Sequence, residues 1–285
     1  MDDPRKVLLP LGLAALGIGL VAMTASFVRP RMGRKRRRTL RLAVLNPRDK
    51  SDYNSRIMEM LAELFEAAGV AVELTEFDVS SGSDEAKAAR AEFDGFIIPG
   101  SMASAYDDSI PWLGSLADLI RALDAERRPT LGICFGHQII AQALGGEVIL
   151  NPAGAHAGAV TFNPSPKGQE LLGLGGETTL LYHHYDIVHR LPPSGVNLGF
   201  SVSNPVHAAA IGDGKGGVHM ISFQAHPEFS TPLGRQVLGT IISKKDAPKF
   251  GEAWASAKAA TMGTEGNDPV RVTQAAVRAL WPAAV

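Results

Sequence analysis

The segment from Arg128 to Gly146 constrains the fold of this chain more than any other. Its sequence, RPTLGICFGHQIIAQALGG, predicts a buried strand, a sharp turn, a helix and a closing glycine. The turn falls in GICFG, where glycines on both sides of Cys134 permit a tight connection between strand and helix. A strand that feeds directly into a helix is the basic unit of an α/β protein.

Strands and helices alternate along the body of the chain from Leu40 onward. LRLAVLNP, VAVELTEFDV and DGFIIPGS predict strands, whereas residues 54–68 and 112–124 have apolar side chains at helical spacing. This alternation predicts an α/β fold with a largely parallel open sheet and helices on both faces. From Glu147 to Phe223 the segments are shorter and richer in Gly, Pro and Thr, which predicts strands and hairpins, including a turn at GDGKGG.

Cys134 is the only cysteine of the chain. An intrachain disulfide and a zinc site built from paired cysteines are therefore excluded. A single cysteine often serves only as a small buried apolar residue. Here the turn would lift the side chain out of the carboxyl edge of the sheet, where open α/β sheets bind ligands. It would also place the sulfur at the start of a helix, which favours the thiolate, so we predict a nucleophile.

The segment ISFQAHPEF offers both a base for this thiol and a group that orients the base. It is predicted to be a strand that runs into His226, Pro227 and Glu228. Because residues two apart in an extended segment share a face, His226 and Glu228 can both point toward Cys134. Pro227 stiffens the segment and keeps the preceding residue extended. The sequence therefore predicts a catalytic triad of Cys134, His226 and Glu228.

These motifs resemble the signature blocks of the class I glutamine amidotransferases. GICFGHQ and QAHPEF resemble the blocks themselves. IIPGSMASAYDD, CFGHQIIAQALGG, NPAG and HYDIVHRLPP resemble the stand-alone members close to the amidotransferase domain of GMP synthase and to plant gamma-glutamyl peptidases. The resemblance extends over residues 40–238 and implies an enzyme that hydrolyses gamma-glutamyl amides through a gamma-glutamyl thioester.

The resemblance also implies a role for each matching residue. Cys134 would attack the gamma-glutamyl carbonyl, His226 would shuttle the proton, and Glu228 would hold His226 in place. Backbone N–H groups of Gly100 and Phe135 would meet the oxyanion. The residues expected to line the substrate pocket are Gln138, Ser101, His184 and Asp186.

Three histidines lie close together in the sequence, His183, His184 and His189. Their spacing fits no standard zinc motif, and no further cysteine can complete a site. We therefore expect no metal ion, and the resemblance implies no cofactor.

The N-terminal segment is apolar first and then basic. The 22 residues from Val7 to Val28 carry no charge and would span about 30 Å as a helix, enough for a bilayer core. Eight basic residues follow between Arg29 and Arg41. We expect a single-pass membrane anchor with the catalytic domain on the cytoplasmic side, and the mitochondrial outer membrane is one candidate membrane. The alternatives are a cleaved targeting peptide and a true start at Met32.

The sequence thus predicts three parts. Residues 1–39 form the membrane anchor and its basic flank, and residues 40–243 form the domain that resembles a class I glutamine amidotransferase. Residues 244–285 form a helical tail that packs on this domain. After Arg41 the chain has 18 basic and 27 acidic residues, which argues against nucleic acid as a partner.

Three functions stay open at this point. The first is a stand-alone thiol hydrolase that acts on a small-molecule substrate, glutamine or a gamma-glutamyl peptide. The second is a glutaminase subunit that donates ammonia to a separate synthetase partner. The third is an inactive membrane-tethered binding or scaffold protein, and the intact triad argues against it. Activity of the purified chain alone would separate the first function from the second.

Overall fold

The computed structural model describes residues 38–49, 51–212 and 217–284. Strands and helices follow one another in the predicted manner. The strands are β1 (Leu40–Asn46), β2 (Val72–Asp78), β3 (Gly95–Ile98), β4 (Thr130–Ile133), β5 (Glu147–Leu150), β6 (His156–Pro164), β7 (Thr178–His184), β8 (Asp186–Arg190), β9 (Gly195–Phe200), β10 (Ala208–Gly212) and β11 (Val218–Phe223). The helices are α1 (Asp52–Ala67), α2 (Asp84–Ala89), α3 (Pro111–Ala125), α4 (Phe135–Ala143), α5 (Pro166–Leu172), α6 (Pro232–Ile241), α7 (Ala247–Phe250), α8 (Glu252–Ala259) and α9 (Asp268–Leu280).

The main sheet has the strand order β2-β1-β3-β4-β11-β10-β9-β6-β7. Its first five strands pair in parallel, as the alternation of strands and helices predicts. The strands beyond β11 pair antiparallel. The α/β class is confirmed, and the parallel arrangement holds for the half of the sheet that carries Cys134. Strands β5 and β8 form a separate antiparallel pair.

Helices cover both faces of the sheet. In β1, Leu42 and Val44 belong to one apolar core together with buried residues of α1, α6 and α9. The alternate residues Ala43 and Leu45 belong to a second core with residues of α3 and α4. Because side chains of a strand alternate between its two faces, one strand contributes to both cores. This arrangement leaves the carboxyl ends of the parallel strands uncovered by helices, and the loops that follow them converge there.

The predicted membrane placement is corrected by the structure. Within residues 38–49, 51–212 and 217–284, no helix is long and apolar enough to cross a membrane. The longest uninterrupted α-helix there, α1, has 16 residues and exposes Glu59 and Glu66. It is too short for a bilayer core of about 30 Å, and only one of its faces is apolar. The predicted span at residues 7–28 lies outside the described residues. The prediction of a single-pass protein facing the cytoplasm therefore does not stand.

The segment after α6 is helical. A π-helical turn (Ile242–Asp246) continues α6 and leads into α7 and α8. Helix α9 buries Val272, Ala276 and Val277 in the same core as α1 and α6. The indole N–H of Trp281 donates a 3.0 Å hydrogen bond to the carbonyl oxygen of Asp94. The exact boundary at residue 243 stays a prediction.

Candidate active site

Cys134 lies at the turn between β4 and α4, with a backbone φ of 52° and ψ of −102°. Positive φ is uncommon for a residue with a side chain and costs about 1–3 kcal/mol, a cost that concentrates at functional sites. The flanking glycines do not have positive φ; they are needed for space. A Cβ on Gly136 would lie 1.9 Å from the carbonyl oxygen of Ile98, and one on Gly132 would lie 2.8 Å from Ile140 Cδ1. The strain therefore falls on Cys134 itself.

The sulfur of Cys134 is nearly buried, with 5% of the residue exposed. Its backbone N–H donates a 2.8 Å hydrogen bond to the carbonyl oxygen of Phe223, which fixes the turn against β11. The sulfur lies 3.6 Å from the carbonyl oxygen of His183 and 3.7 Å from Nε2 of Gln224. It also lies at the N-terminus of α4, where the helix dipole favours a thiolate.

His226 and Glu228 form a buried pair directly after β11. His226 Nδ1 donates a 2.7 Å hydrogen bond to Glu228 Oε1, and the two residues are 4% and 0% exposed. The sequence predicts an extended segment here, but Pro227–Ser230 forms a 3₁₀ turn. The pairing depends on this turn, because it brings the carboxylate within hydrogen-bond distance of Nδ1. Phe229 stacks on that ring with a centroid distance of 4.2 Å.

The electrostatics of this pair involve the thiol. Burial lowers the pKa of His226, but the negative charges of Cys134 and Glu228 outweigh burial and raise the pKa to about 10. His226 is therefore an imidazolium at neutral pH. It lines the same small cleft as Cys134, so a positive ring faces the sulfur.

Tyr53 is a site residue that sequence analysis missed. Its hydroxyl donates a 2.8 Å hydrogen bond to Glu228 Oε1 and accepts a 3.1 Å bond from the backbone N–H of Gly100. The predicted oxyanion donor Gly100 thus already has a partner. The N–H of Phe135 lies in the first turn of α4, where a helix provides no internal acceptor. Tyr53 lies on α1, far along the chain from both motifs, and no sequence signal marks it.

The four predicted pocket residues lie together with Cys134. Ser101, Gln138, His184 and Asp186 line one cavity of ≈ 200 Å³ that also contains Cys134. Nε2 of Gln138 and Nδ1 of His184 donate hydrogen bonds of 2.8 and 3.0 Å to the carbonyl oxygen of Asp186. Burial lowers the pKa of His184 well below its usual value, so this ring is neutral. The structure thus brings the predicted residues into one polar cavity beside the thiol.

The carboxylate of Asp186 is held from the opposite wall of this cavity. Ser104 Oγ donates a 2.6 Å hydrogen bond to Asp186 Oδ2, and the Tyr106 hydroxyl donates a 3.2 Å bond to Oδ1. Ser101 Oγ donates to Asp49 Oδ2 at 3.0 Å, which anchors the loop after β3. Sequence analysis missed Ser104 and Tyr106, although both lie in the IIPGSMASAYDD block.

Comparison with known proteins establishes the family. The chain matches the model of the family "Glutamine amidotransferase class-I" over residues 51–242. This match extends over more than half of the chain, so the protein belongs to the class I glutamine amidotransferase family. The predicted family is confirmed, and so is the predicted enzyme class, a hydrolase of the glutamine amidotransferase type, at the level of the family.

Curated relatives resemble the chain over part of their length. Gamma-glutamyl peptidase 3 of Arabidopsis thaliana is 30% identical over 160 residues, which are 54% of this chain and 62% of the peptidase. The glutamine-hydrolyzing GMP synthase of Thermomicrobium roseum is 31% identical over 192 residues, which are 67% of this chain and 33% of the synthase. The match therefore spans less than two thirds of either relative.

A solved structure supports the fold independently. A glutamine amidotransferase from Thermotoga maritima superposes with a TM-score of 0.65 at 16% sequence identity. The superposition includes 85% of this chain and 97% of that one. At this identity the likeness concerns the fold alone.

Proposed function

We propose that the protein hydrolyses gamma-glutamyl amide bonds, in glutamine or gamma-glutamyl peptides, through a thioester at Cys134. One observation carries the proposal: the thiol on its strained turn shares a cleft with an imidazolium that a buried carboxylate holds. A thiolate and an imidazolium are the two groups that thiol-dependent amide hydrolysis requires. Membership of the class I glutamine amidotransferase family supports the same chemistry.

The first half of the reaction forms the thioester. The thiolate of Cys134 attacks the gamma-carbonyl carbon, a sulfur–carbon bond forms, and the carbonyl oxygen becomes an oxyanion. His226 then donates its proton to the amide nitrogen, the carbon–nitrogen bond breaks, and the amine or ammonia leaves. In the second half, water attacks the thioester, His226 accepts a proton from it, and glutamate leaves as the thiolate reforms. Glu228 fixes the ring through Nδ1 throughout.

The oxyanion would be stabilised by backbone N–H groups. The N–H of Phe135 adjoins the nucleophile and lies at a helix N-terminus, where the dipole favours negative charge. The N–H of Gly100 can take part only if its 3.1 Å hydrogen bond to Tyr53 is exchanged for one to the oxyanion. Phe135 is therefore the donor that needs no rearrangement.

The glutamyl half of the substrate would occupy the ≈ 200 Å³ cavity. Asp186 offers a carboxylate suited to the alpha-amino group of a glutamyl substrate. Gln138 and His184 fix the backbone of Asp186 by their hydrogen bonds to its carbonyl oxygen. Ser101 lies on the loop between this cavity and the triad.

A second function is favoured by the apolar rim of the cavity. Met102, Tyr106 and Leu150 line the cavity and are 48%, 39% and 65% exposed. Exposed apolar side chains around a site are typical of surfaces that a partner covers. A relative is a glutamine-hydrolyzing GMP synthase, so the alternative is a glutaminase that donates ammonia to a separate synthetase.

The purified protein tests these proposals. We expect it to release glutamate from glutamine or gamma-glutamyl-alanine without ATP, and we expect Cys134→Ala to remove this activity while the folded circular dichroism spectrum is kept. A glutamine-analogue chloroketone should label Cys134 alone, as judged by peptide mass spectrometry. Activity that appears only after addition of cell extract would favour the ammonia-donor function. Full activity of Cys134→Ala would refute the thioester mechanism.

A further inference from the structure

A second histidine–carboxylate pair lies beside the nucleophile, and the proposed triad does not use it. His183 closes β7 next to His184, and its carbonyl oxygen lies 3.6 Å from the sulfur of Cys134. Its side chain turns to Asp246, where Nε2 donates a 3.0 Å hydrogen bond to Oδ2. The two side chains are 9% and 1% exposed. A pair so deeply buried and so close to the nucleophile is expected to have a role there.

Asp246 joins two side chains of the site. Besides His183, it accepts a 2.7 Å hydrogen bond from the Tyr185 hydroxyl at Oδ1. Burial raises the pKa of Asp246, but the hydrogen bonds from His183 and Tyr185 outweigh burial and lower it, so the carboxylate is ionised. It lies in the π-helical turn after α6, and such turns are frequent at functional sites. An ionised buried carboxylate holds the imidazole of His183 in one orientation.

His183 lies between the two halves of the site. It lines the ≈ 200 Å³ cavity with Asp186 and also the cleft that contains His226. Because His226 would protonate the departing amine, this cleft is the side on which the amine leaves. Nε2 of His183 is bound to Asp246, so Nδ1 is the ring atom left for a ligand in the cleft.

A neighbouring cavity shares lining residues with this cleft. Ser51 and Asn54 line the cleft and also line this outer cavity of ≈ 580 Å³. Arg48 and Glu76, which form an ion pair, contribute polar groups to the outer cavity. Ammonia, the leaving group of glutamine, needs none of this volume. An amine that carries an amino acid or a peptide would occupy it.

We infer that the site is built for gamma-glutamyl peptides, in which His183 binds the carboxylate of the departing amino acid. This inference rests on the proposed function and adds its substrate class. Asp246 is a positioning residue: its carboxylate binds Nε2 of His183 and fixes the ring, so that Nδ1–H can donate to the substrate carboxylate. A hydrogen bond to a charged group changes affinity by about tenfold or more.

Three substrates test whether the site recognises the carboxylate of the departing amino acid. They are glutamine, gamma-glutamyl-alanine and gamma-glutamyl-alaninamide, in which a neutral amide replaces that carboxylate. We expect kcat/KM of the wild-type protein to be about tenfold higher for gamma-glutamyl-alanine than for its amide, with most of the difference in KM. His183→Gln should bring the ratio close to one, and Asp246→Asn should lower it in part. A wild-type protein that does not distinguish the two dipeptides would overturn the inference without any variant.

A control is a second histidine–aspartate pair, His219 and Asp124, in which the histidine is buried and the aspartate side chain is 32% exposed. His219 Nε2 lies 2.7 Å from Asp124 Oδ1, near the start of β11 and at the opposite end of that strand from the site. Asp124→Asn should leave the ratio of the two dipeptides unchanged. An equal change of the ratio in Asp124→Asn and Asp246→Asn would mean that the effect is general, and the inference would fail.

Binding distinguishes this inference from the proposed function. Calorimetric titration of Cys134→Ala with gamma-glutamyl-alanine and its amide measures recognition without turnover. Preference for the free carboxylate that His183→Gln removes, in a protein that hydrolyses none of the three substrates, would uphold the inference and refute the proposed function. If the protein hydrolyses the substrates and His183→Gln leaves the kcat/KM ratio of the two dipeptides unchanged, the proposed function stands and the inference fails. Absence of both hydrolysis and binding would refute both.

Discussion

The hydroxyl of Tyr53 lies 2.8 Å from Glu228 Oε1 and donates a hydrogen bond to it. The hydroxyl oxygen of Tyr53 also accepts a 3.1 Å hydrogen bond from the backbone N–H of Gly100. One side chain on α1 thereby links the carboxylate that orients His226 to the loop after β3. Burial raises the pKa of Tyr53 well above its usual value, so the hydroxyl stays protonated and remains a donor.

Tyr53→Phe should lower kcat about tenfold with little change in KM, because Glu228 loses a donor while the ring contacts with His226 and Phe229 remain. The free energy of unfolding should fall by about 1 kcal/mol, measured by urea denaturation. Tyr182→Phe is the control, because it removes an equally buried hydroxyl bound at 2.7 Å to His207. Equal losses of kcat in the two variants would contradict a specific role for Tyr53.

His226→Ala should lower kcat more than Glu228→Gln, because His226 transfers the proton whereas Glu228 only orients the ring of His226. We expect losses in kcat of about 10⁴-fold for His226→Ala and about 10²-fold for Glu228→Gln. Steady-state release of glutamate measures both. A larger loss in Glu228→Gln, in a variant that remains folded, would contradict these roles.

The pKa of His226 should depend on the thiol. In the folded protein it is raised to about 10, so the stability that the charged ring contributes is complete below pH 6.5 and is lost as pH rises through 10. Cys134→Ala removes one of the two negative charges that raise this pKa. The stability contributed by the charged ring should then be lost at a lower pH. Nuclear magnetic resonance titration of carbon-13-labelled histidine measures the pKa directly. An unchanged pKa in Cys134→Ala would show that the sulfur carries no charge.

Two helical glycines should respond in opposite ways to alanine. In Gly136→Ala the new Cβ would lie 1.9 Å from the carbonyl oxygen of Ile98, and backbone cannot move aside easily, so we expect a loss of about 3 kcal/mol or more. In Gly114→Ala, on α3, the new Cβ meets nothing within 4 Å, so we expect a gain of about 0.5–1 kcal/mol. Chemical denaturation of both variants tests this difference. A tolerated Gly136→Ala would contradict the close approach of α4 and β3.

The sequence by itself determined the α/β class and the strand–turn–helix around Cys134. It also placed His226 and Glu228 two residues apart, although the 3₁₀ turn that pairs them was not predicted. Each of these is local: a hydrophobic period, glycines around a turn, or two residues two apart. The motif blocks also identified the family and the residues Ser101, Gln138, His184 and Asp186 that line the cavity. The prediction of a membrane location was wrong; it depended only on the apolar run at residues 7–28 and on the basic residues that follow it.

Tertiary structure alone decided which distant side chains join the site. Tyr53 comes from α1 and lies 175 positions before Glu228, and Asp246 comes from the tail and lies 63 positions after His183. Neither residue has a local pattern that marks it, since an aromatic ring on an amphipathic helix and an acidic residue in a polar turn are ordinary. Their roles arise only because a parallel sheet brings the carboxyl ends of its strands to one edge, where segments remote in sequence meet and a buried carboxylate must find donors.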